Sequence, residues 1–165
     1  KEKKEIVLAE SLIKQIDEIM VLSPKRQGVW GVNQIHKALL KNFLYESIEK
    51  WPNGTPIICG ENQPDLGLSN GDIGILIGKS NYKKVVFKTF LEGRTPSYQL
   101  IHPVRLKKVE PALALTIHKA QGSEANQVIL LWPNQEVPSR KNTYEKKLLY
   151  TAITRAKGKV MFISR

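Results

Sequence analysis

The chain has 165 residues, 41% hydrophobic and 25% charged, which suits one ordinary core, or a core with a small inserted module, and excludes a disordered polyelectrolyte. Its 26 lysines and arginines exceed its 15 acidic residues by +11, and the excess grows from +2 over residues 1–50 to +4 over 51–109 and +5 over 110–165. A single cysteine, Cys59, excludes an internal disulfide and a multi-cysteine metal site, no apolar run is long enough to cross a bilayer, and the opening KEKKEIVLAE is too charged for a signal peptide.

These traits predict a cytoplasmic protein with no membrane partner. The charge is the footprint of a polyanion-binding surface, or equally that of a basic protein kept in solution by its charge. Along the chain, Ile6, Ala9, Leu12, Ile13 and Ile16 recur at helical spacing and predict a helix over 5–18. IMVLSP (19–24) predicts a short buried strand stopped by Pro24, followed by the basic, Gly-punctuated loop KRQGVWG. Val32, Ile35, Leu39 and Phe43 then form one apolar stripe of a second helix.

At WPNGT (51–55) the grammar changes to short β-like runs cut by turn residues: TPIICG, GDIGILIG, YKKVVFKTF and SYQLIHPVRLKKV. The Asn-Gly pair of SNGD (69–72) favours a tight turn. Four such runs predict a small antiparallel barrel over 50–109, with Cys59 in its core. Lys83, Lys84, Lys88, Arg105, Lys107 and Lys108 would line a groove on it, or simply be solvated, with Tyr82, Phe87 or Tyr98 as stacking platforms.

After Pro111 the near-continuous apolar runs ALALTI and QVILLW (127–132) predict strands covered on both faces. TYEKKLLYTAITRAK (143–157) predicts a helix with Tyr144, Leu148 and Ala152 on one face and Leu149, Ile153 and Ala156 beside them; KVMFIS (159–164) predicts a closing strand. The order predicts an α/β core with a parallel sheet, formed by residues 1–49 and 110–165 and interrupted by the barrel over 50–109.

The densest polar chemistry is LTIHKAQGSE, residues 115–124. Open α/β sheets take ligands beyond the carboxyl ends of their strands, and this stretch leaves such a strand. Thr116, His118 and Lys119 offer donors suited to phosphate oxygens, and Gly122 permits close backbone approach. Glu124 can accept from a sugar hydroxyl or orient a cation. Each has a plainer reading: a satisfied loop histidine, a solvated lysine, a glutamate near the start of the next element. Arg155, just before Gly158, is likewise either a helix-end arginine favoured by the dipole or an arginine finger, which stabilises charge on a transferred phosphoryl group.

ALALTIHKAQGSEANQVILL followed by LLYTAITRAK resembles motifs V and VI of superfamily 1 DNA helicases, and most closely the RecD family, the helicase subunit of exodeoxyribonuclease V and its stand-alone relatives. VLSPKRQGVWGVNQIHKALL resembles the family's motif IV region, and ENQPDLGLSNGDIGIL the start of the SH3-like barrel inserted in its second RecA-like domain. The resemblance implies that Thr116, His118 and Lys119 hold the backbone of single-stranded DNA. It implies that Gly122, Ser123 and Glu124 face the nucleotide, that Arg155, beside Thr154, reaches the γ-phosphate, and that Arg26 is a second phosphate-sensing arginine. One position departs from the pattern: the family usually has an aromatic residue after Gly-Ser-Glu, and this chain has Ala125.

No Gly-x-x-x-x-Gly-Lys-Ser/Thr loop occurs, since Gly78-Lys79-Ser80 has Ile73 where the first glycine would stand, and no acidic pair ends a strand to hold Mg²⁺. The resemblance therefore implies the second half of an ATP-dependent motor. ATP and Mg²⁺ would be held mainly by an N-terminal RecA-like domain of the same parent protein, and this portion alone would not hydrolyse ATP. Single-stranded DNA, and nuclease subunits of an exodeoxyribonuclease V complex, are the further partners implied, with 5′-to-3′ movement. The alternative is a non-catalytic basic module that binds nucleic acid or docks on protein.

Overall fold

The computed structural model describes residues 2–79, 82–91, 95–133 and 143–164. In chain order its main elements are α1 (Glu2–Glu18), β1 (Ile19–Ser23), α2 (Val32–Leu40), β2 (Pro56–Cys59), β3 (Ile73–Ile77), β4 (Lys84–Leu91), β5 (Thr95–Ile101), β6 (Val109–Pro111), β7 (Leu115–Thr116), β8 (Ala125–Trp132), α3 (Thr143–Ile153) and β9 (Ala156–Ser164). They fall into two compact units: Ile16–Leu39 with Ala114–Arg165, and Lys1–Gln15 with Leu40–Leu113.

The first unit is built on a parallel sheet in the order β7-β1-β8-β9. Leu22, Leu115, Val128, Leu130 and Trp132 are the larger buried apolar side chains of its strands, joined by Leu148 and Ala152 from α3. ALALTI contributes only two residues to the sheet, because β7 pairs with the last two residues of β1, Leu22 and Ser23, and β1 ends there. Helix α2 buries a different stripe from the one its apolar residues suggest. Val32, His36 and Leu40 face inward, while Leu39 and Phe43 are 60% and 48% exposed. His36 can take an inward position because its Nε2 lies 3.0 Å from the Ala114 carbonyl, which satisfies the buried ring. An apolar count misses a polar residue of that kind.

The second unit holds an antiparallel sheet in the order β5-β4-β3-β2-β6. Its core collects Trp51, Ile57, Cys59, Leu66, Leu68, Leu76, Val85, Phe87, Ile101 and Leu106. Gly74 faces Phe87 across the β3–β4 pair, and a Cβ there would meet the phenyl ring at 2.8 Å. Phe87 is thus packed over a glycine and is core rather than a stacking platform. The run SYQLIHPVRLKKV divides into β5 and β6, because the chain turns at His102 and Pro103 lacks the N–H a ladder needs.

This unit reaches beyond the expected 50–109. Strand β6 runs to Pro111 and pairs with β2, and the Ala112 N–H donates to the Pro56 carbonyl at 2.8 Å. Its basic residues are divided: Lys84 and Lys88 lie on β4 and Lys107 and Lys108 just before β6, with β3 and β2 between. Lys83 donates its ammonium to the Trp51 carbonyl, and burial lowers its pKa from the ordinary lysine value.

Candidate functional site

The strand register sorts the candidate residues onto two ends of the parallel sheet. Thr116 is level with Ser23, the last residue of β1, so it marks the carboxyl end. Strands β8 and β9 begin level with one another, Ala125 opposite Ala156, so the residues just before them mark the amino end. Residues 117–124 must therefore run from one end to the other, because β8 is parallel to β7's neighbour β1. They do so through tight turns: the Ala120 N–H donates to the Thr116 carbonyl and the Ser123 N–H to the Ala120 carbonyl, both at 3.1 Å. Gly122 has φ +88° and open space where a Cβ would stand, so backbone conformation, not close approach of protein atoms, requires glycine there. The expectation that all of HKAQGSE lies at the carboxyl end is corrected accordingly. Only its first residues do.

At the carboxyl end, Thr116 Oγ1 accepts from the Lys119 N–H at 3.3 Å. Exposed His118 places Nε2 3.1 Å from the hydroxyl of Tyr144, in the first turn of α3, with ring centroids 6.5 Å apart. Lys119 is half-buried and has a partner of its own. Beside Tyr144 a pocket of about 220 Å³ is lined by Pro24, Lys25, Trp132, Pro133 and Leu148 among others. Arg26 follows on the same loop, its carbonyl accepting from the Asn33 N–H at 3.0 Å. It thus leaves the end of β1 opposite to the end where Arg155 stands, and the structure does not bring these two arginines together.

At the amino end, Arg155 is not in a helix. Helix α3 stops at Ile153, and Arg155 occupies the turn before β9, where its carbonyl accepts from the Ala125 N–H at 3.0 Å. The pairing of Ala156 with Ala125 overrides the helical pattern that extends to Lys157 in the sequence. Gly158 accordingly lies within β9 rather than past a helix end. The guanidinium folds back along α3: Nε donates to the Thr151 carbonyl at 3.2 Å, one terminal nitrogen to the Ser123 carbonyl at 3.5 Å, and the other to Thr154 Oγ1 at 3.4 Å. Next to it, Glu124 pairs with Lys157 at 3.5 Å. Ala125, the departure from the family pattern, is 1% exposed and opens β8.

All acceptors of Arg155 are neutral oxygens, and no carboxylate among the described residues neutralises it. A half-buried guanidinium so placed keeps its charge for an anion, which fits a phosphoryl oxygen. Among the described residues no group of three or more histidines, cysteines, aspartates or glutamates could hold a metal ion. Nor is any helix among them long and apolar enough to cross a membrane. Tyr144 and Lys157 are the two contacts sequence reasoning missed. Tyr144 reads as one more residue on a helix face, and nothing local ties it to a histidine 26 positions away.

Residues 111–163 match the family model described as UvrD-like helicase C-terminal domain. The RecBCD enzyme subunit RecD of Buchnera aphidicola (strain Sg) is 33% identical over 99% of this chain, and that of Mycolicibacterium smegmatis 33% over 90%. The Haemophilus influenzae subunit is 29% identical over 92%. The chain spans about a quarter of the length of these relatives, 27%, 25% and 22% respectively. Two solved structures share the fold: Bacteroides Pif1 bound to single-stranded DNA (TM-score 0.52, 16% identity) and Pif1 helicase from Bacteroides in complex with ADP-AlF3 and single-stranded DNA (TM-score 0.54, 17% identity). Each covers 88% of this chain and 40% of its own. With motifs V and VI inside the matched region and RecD subunits aligned along nearly all of its length, the chain belongs to the RecD-type superfamily 1 helicases as a C-terminal portion.

Proposed function

We propose that this chain is the C-terminal motor portion of an ATP-dependent, RecD-type DNA helicase, in which Arg155 acts as the arginine finger. The supporting observation is the placement of its guanidinium, without a carboxylate partner, against the Ser123 carbonyl at the amino end of the sheet. Gly122, Ser123 and Glu124 make the rest of the nucleotide-facing edge. Arg26 is left out of that set, since its loop leaves the other end of the strands. ATP and its Mg²⁺ are held mainly by the N-terminal RecA-like domain of the parent protein, and by itself this portion does not turn ATP over. When that domain closes, the Arg155 charge stabilises the negative charge spreading over the transferred phosphoryl group.

Thr116, His118 and Lys119, at the opposite end of the sheet, hold the backbone of single-stranded DNA. Most of both sets lies on one eight-residue loop, 117–124, so a shift at the nucleotide end can be passed to the strand as a step, in the 5′-to-3′ direction implied by the family. The antiparallel unit is, in this reading, the family's SH3-like barrel inserted in the second RecA-like domain. Nuclease subunits of an exodeoxyribonuclease V complex are the protein partners proposed for the parent. A purely non-catalytic docking or nucleic-acid-binding module is disfavoured, because the relatives aligned along almost the whole chain are RecD subunits of RecBCD enzymes and residues 111–163 match a helicase C-terminal domain.

The test is Arg155→Ala in the full-length protein. ATP turnover is expected to fall by about 10³-fold or more while ATP affinity stays within a few-fold, the pattern of a group that acts at the transition state. Turnover near that of the unmodified protein would refute the assignment.

A further inference from the structure

We infer that Tyr144 is a positioning residue for His118: its hydroxyl donates to Nε2 and thereby turns the Nδ1–H of a neutral imidazole outward, as the donor for a DNA phosphate. The inference rests on the assignment of His118 to the DNA backbone and adds to it how that ring is aimed.

The geometry is a side-chain pair joining two elements. His118 sits in the turn that leaves β7, and Tyr144 in the first turn of α3, which Leu148 and Ala152 anchor in the core. With Nε2 and the hydroxyl oxygen 3.1 Å apart, exactly one proton lies between them. If the imidazole held it, Nδ1 of a neutral ring would carry a lone pair, and a lone pair repels a phosphate oxygen. If the hydroxyl holds it, Nδ1 carries the ring proton and donates. The exposed Nδ1 has no hydrogen-bond partner among the described residues. The second arrangement is the one compatible with phosphate binding by an uncharged histidine, and the hydroxyl that enforces it is fixed to a helix. Tyr144 also lines the pocket that contains Lys25 and Trp132. Exposure of 62% leaves Tyr144 otherwise unexplained as a core residue.

Three variants of the full-length protein, His118→Ala, Tyr144→Phe and the pair, separate the possibilities, with affinity for a fluorescent single-stranded oligonucleotide measured for each. Tyr144→Phe keeps the ring and loses only the hydroxyl. Its affinity is expected to drop about twofold to tenfold, the size of one ordinary hydrogen bond, and the double variant is expected to bind no worse than His118→Ala. A long-range ¹⁵N–¹H spectrum of histidine-labelled protein should show His118 protonated at Nδ1, and a changed tautomer ratio in Tyr144→Phe.

A spectrum with the proton on Nε2 would overturn the inference, as would a Tyr144→Phe variant with unchanged affinity. Losses that simply add in the double variant would mean that Tyr144 touches DNA independently, which also overturns it. Unchanged affinity in His118→Ala would remove the DNA assignment itself, and the positioning role with it.

Discussion

Gly122→Ala isolates the cost of bending the loop that joins the two ends of the sheet. The glycine has φ +88°, and no heavy atom lies within 4 Å of the Cβ that alanine would add. Steric overlap with neighbours therefore contributes nothing, and the penalty is conformational: a non-glycine residue forced into positive φ costs on the order of 1–3 kcal/mol. Asparagine tolerates that region better than alanine and should recover part of the loss. For a chain of this size each kcal/mol lowers Tm by about 2–4 °C, so the alanine variant should melt roughly 2–12 °C lower and the asparagine variant between it and the parent. Thermal unfolding followed by far-UV circular dichroism reads both. Because Ser123 follows directly and its carbonyl lies 3.5 Å from the Arg155 guanidinium, ATP turnover in the full-length protein should fall in the same order. An alanine variant as stable as the parent, or an asparagine variant as damaged as the alanine one, would refute the conformational argument.

Other outcomes follow from the same chemistry. Affinity for single-stranded DNA should fall steeply with salt, and Lys119→Ala should lessen the slope of log K against log salt by about 0.7, the share of one phosphate contact; a flat salt response would rule out a phosphate-binding surface. The Cys59 thiol, buried in the antiparallel unit and beside the negative charge of Asp72, is pushed up to about 11, first by burial and second by that charge. It should resist alkylation at pH 8 in the native protein and react once unfolded. Between about pH 9 and 11 the unfolded chain loses the thiol proton while the folded chain keeps it, so stability should decline with rising pH over that window. Stability that is constant or rising there would contradict the buried placement.

Periodicity made α1, β1, α2 and the β-like runs legible, because each depends on local burial patterns along one element. The discrepancies arise where a distant partner decides. Residues 154–157 continue a helical pattern, but Ala156 is claimed by Ala125 of β8, which turns Arg155 out of the helix and against Ser123. His36 turns inward on α2 where Leu39 was expected to do so, and the Ala114 carbonyl 3.0 Å from its Nε2 helps make a buried imidazole tolerable. The placement of LTIHKAQGSE was half legible. Its strand points to the carboxyl end, yet the need to enter a parallel β8 carries Gly122, Ser123 and Glu124 to the amino end.

The most direct measurement is the affinity of full-length protein and its Arg155→Ala variant for two nucleotides, ADP alone and ADP with aluminium fluoride, which mimics the phosphoryl group in flight. Loss of the guanidinium should leave ADP binding within a few-fold and weaken the fluoride complex by two to three orders of magnitude or more, about 3–4 kcal/mol. Equal weakening of both, or of neither, would contradict a charge delivered at residue 155 to the transition state.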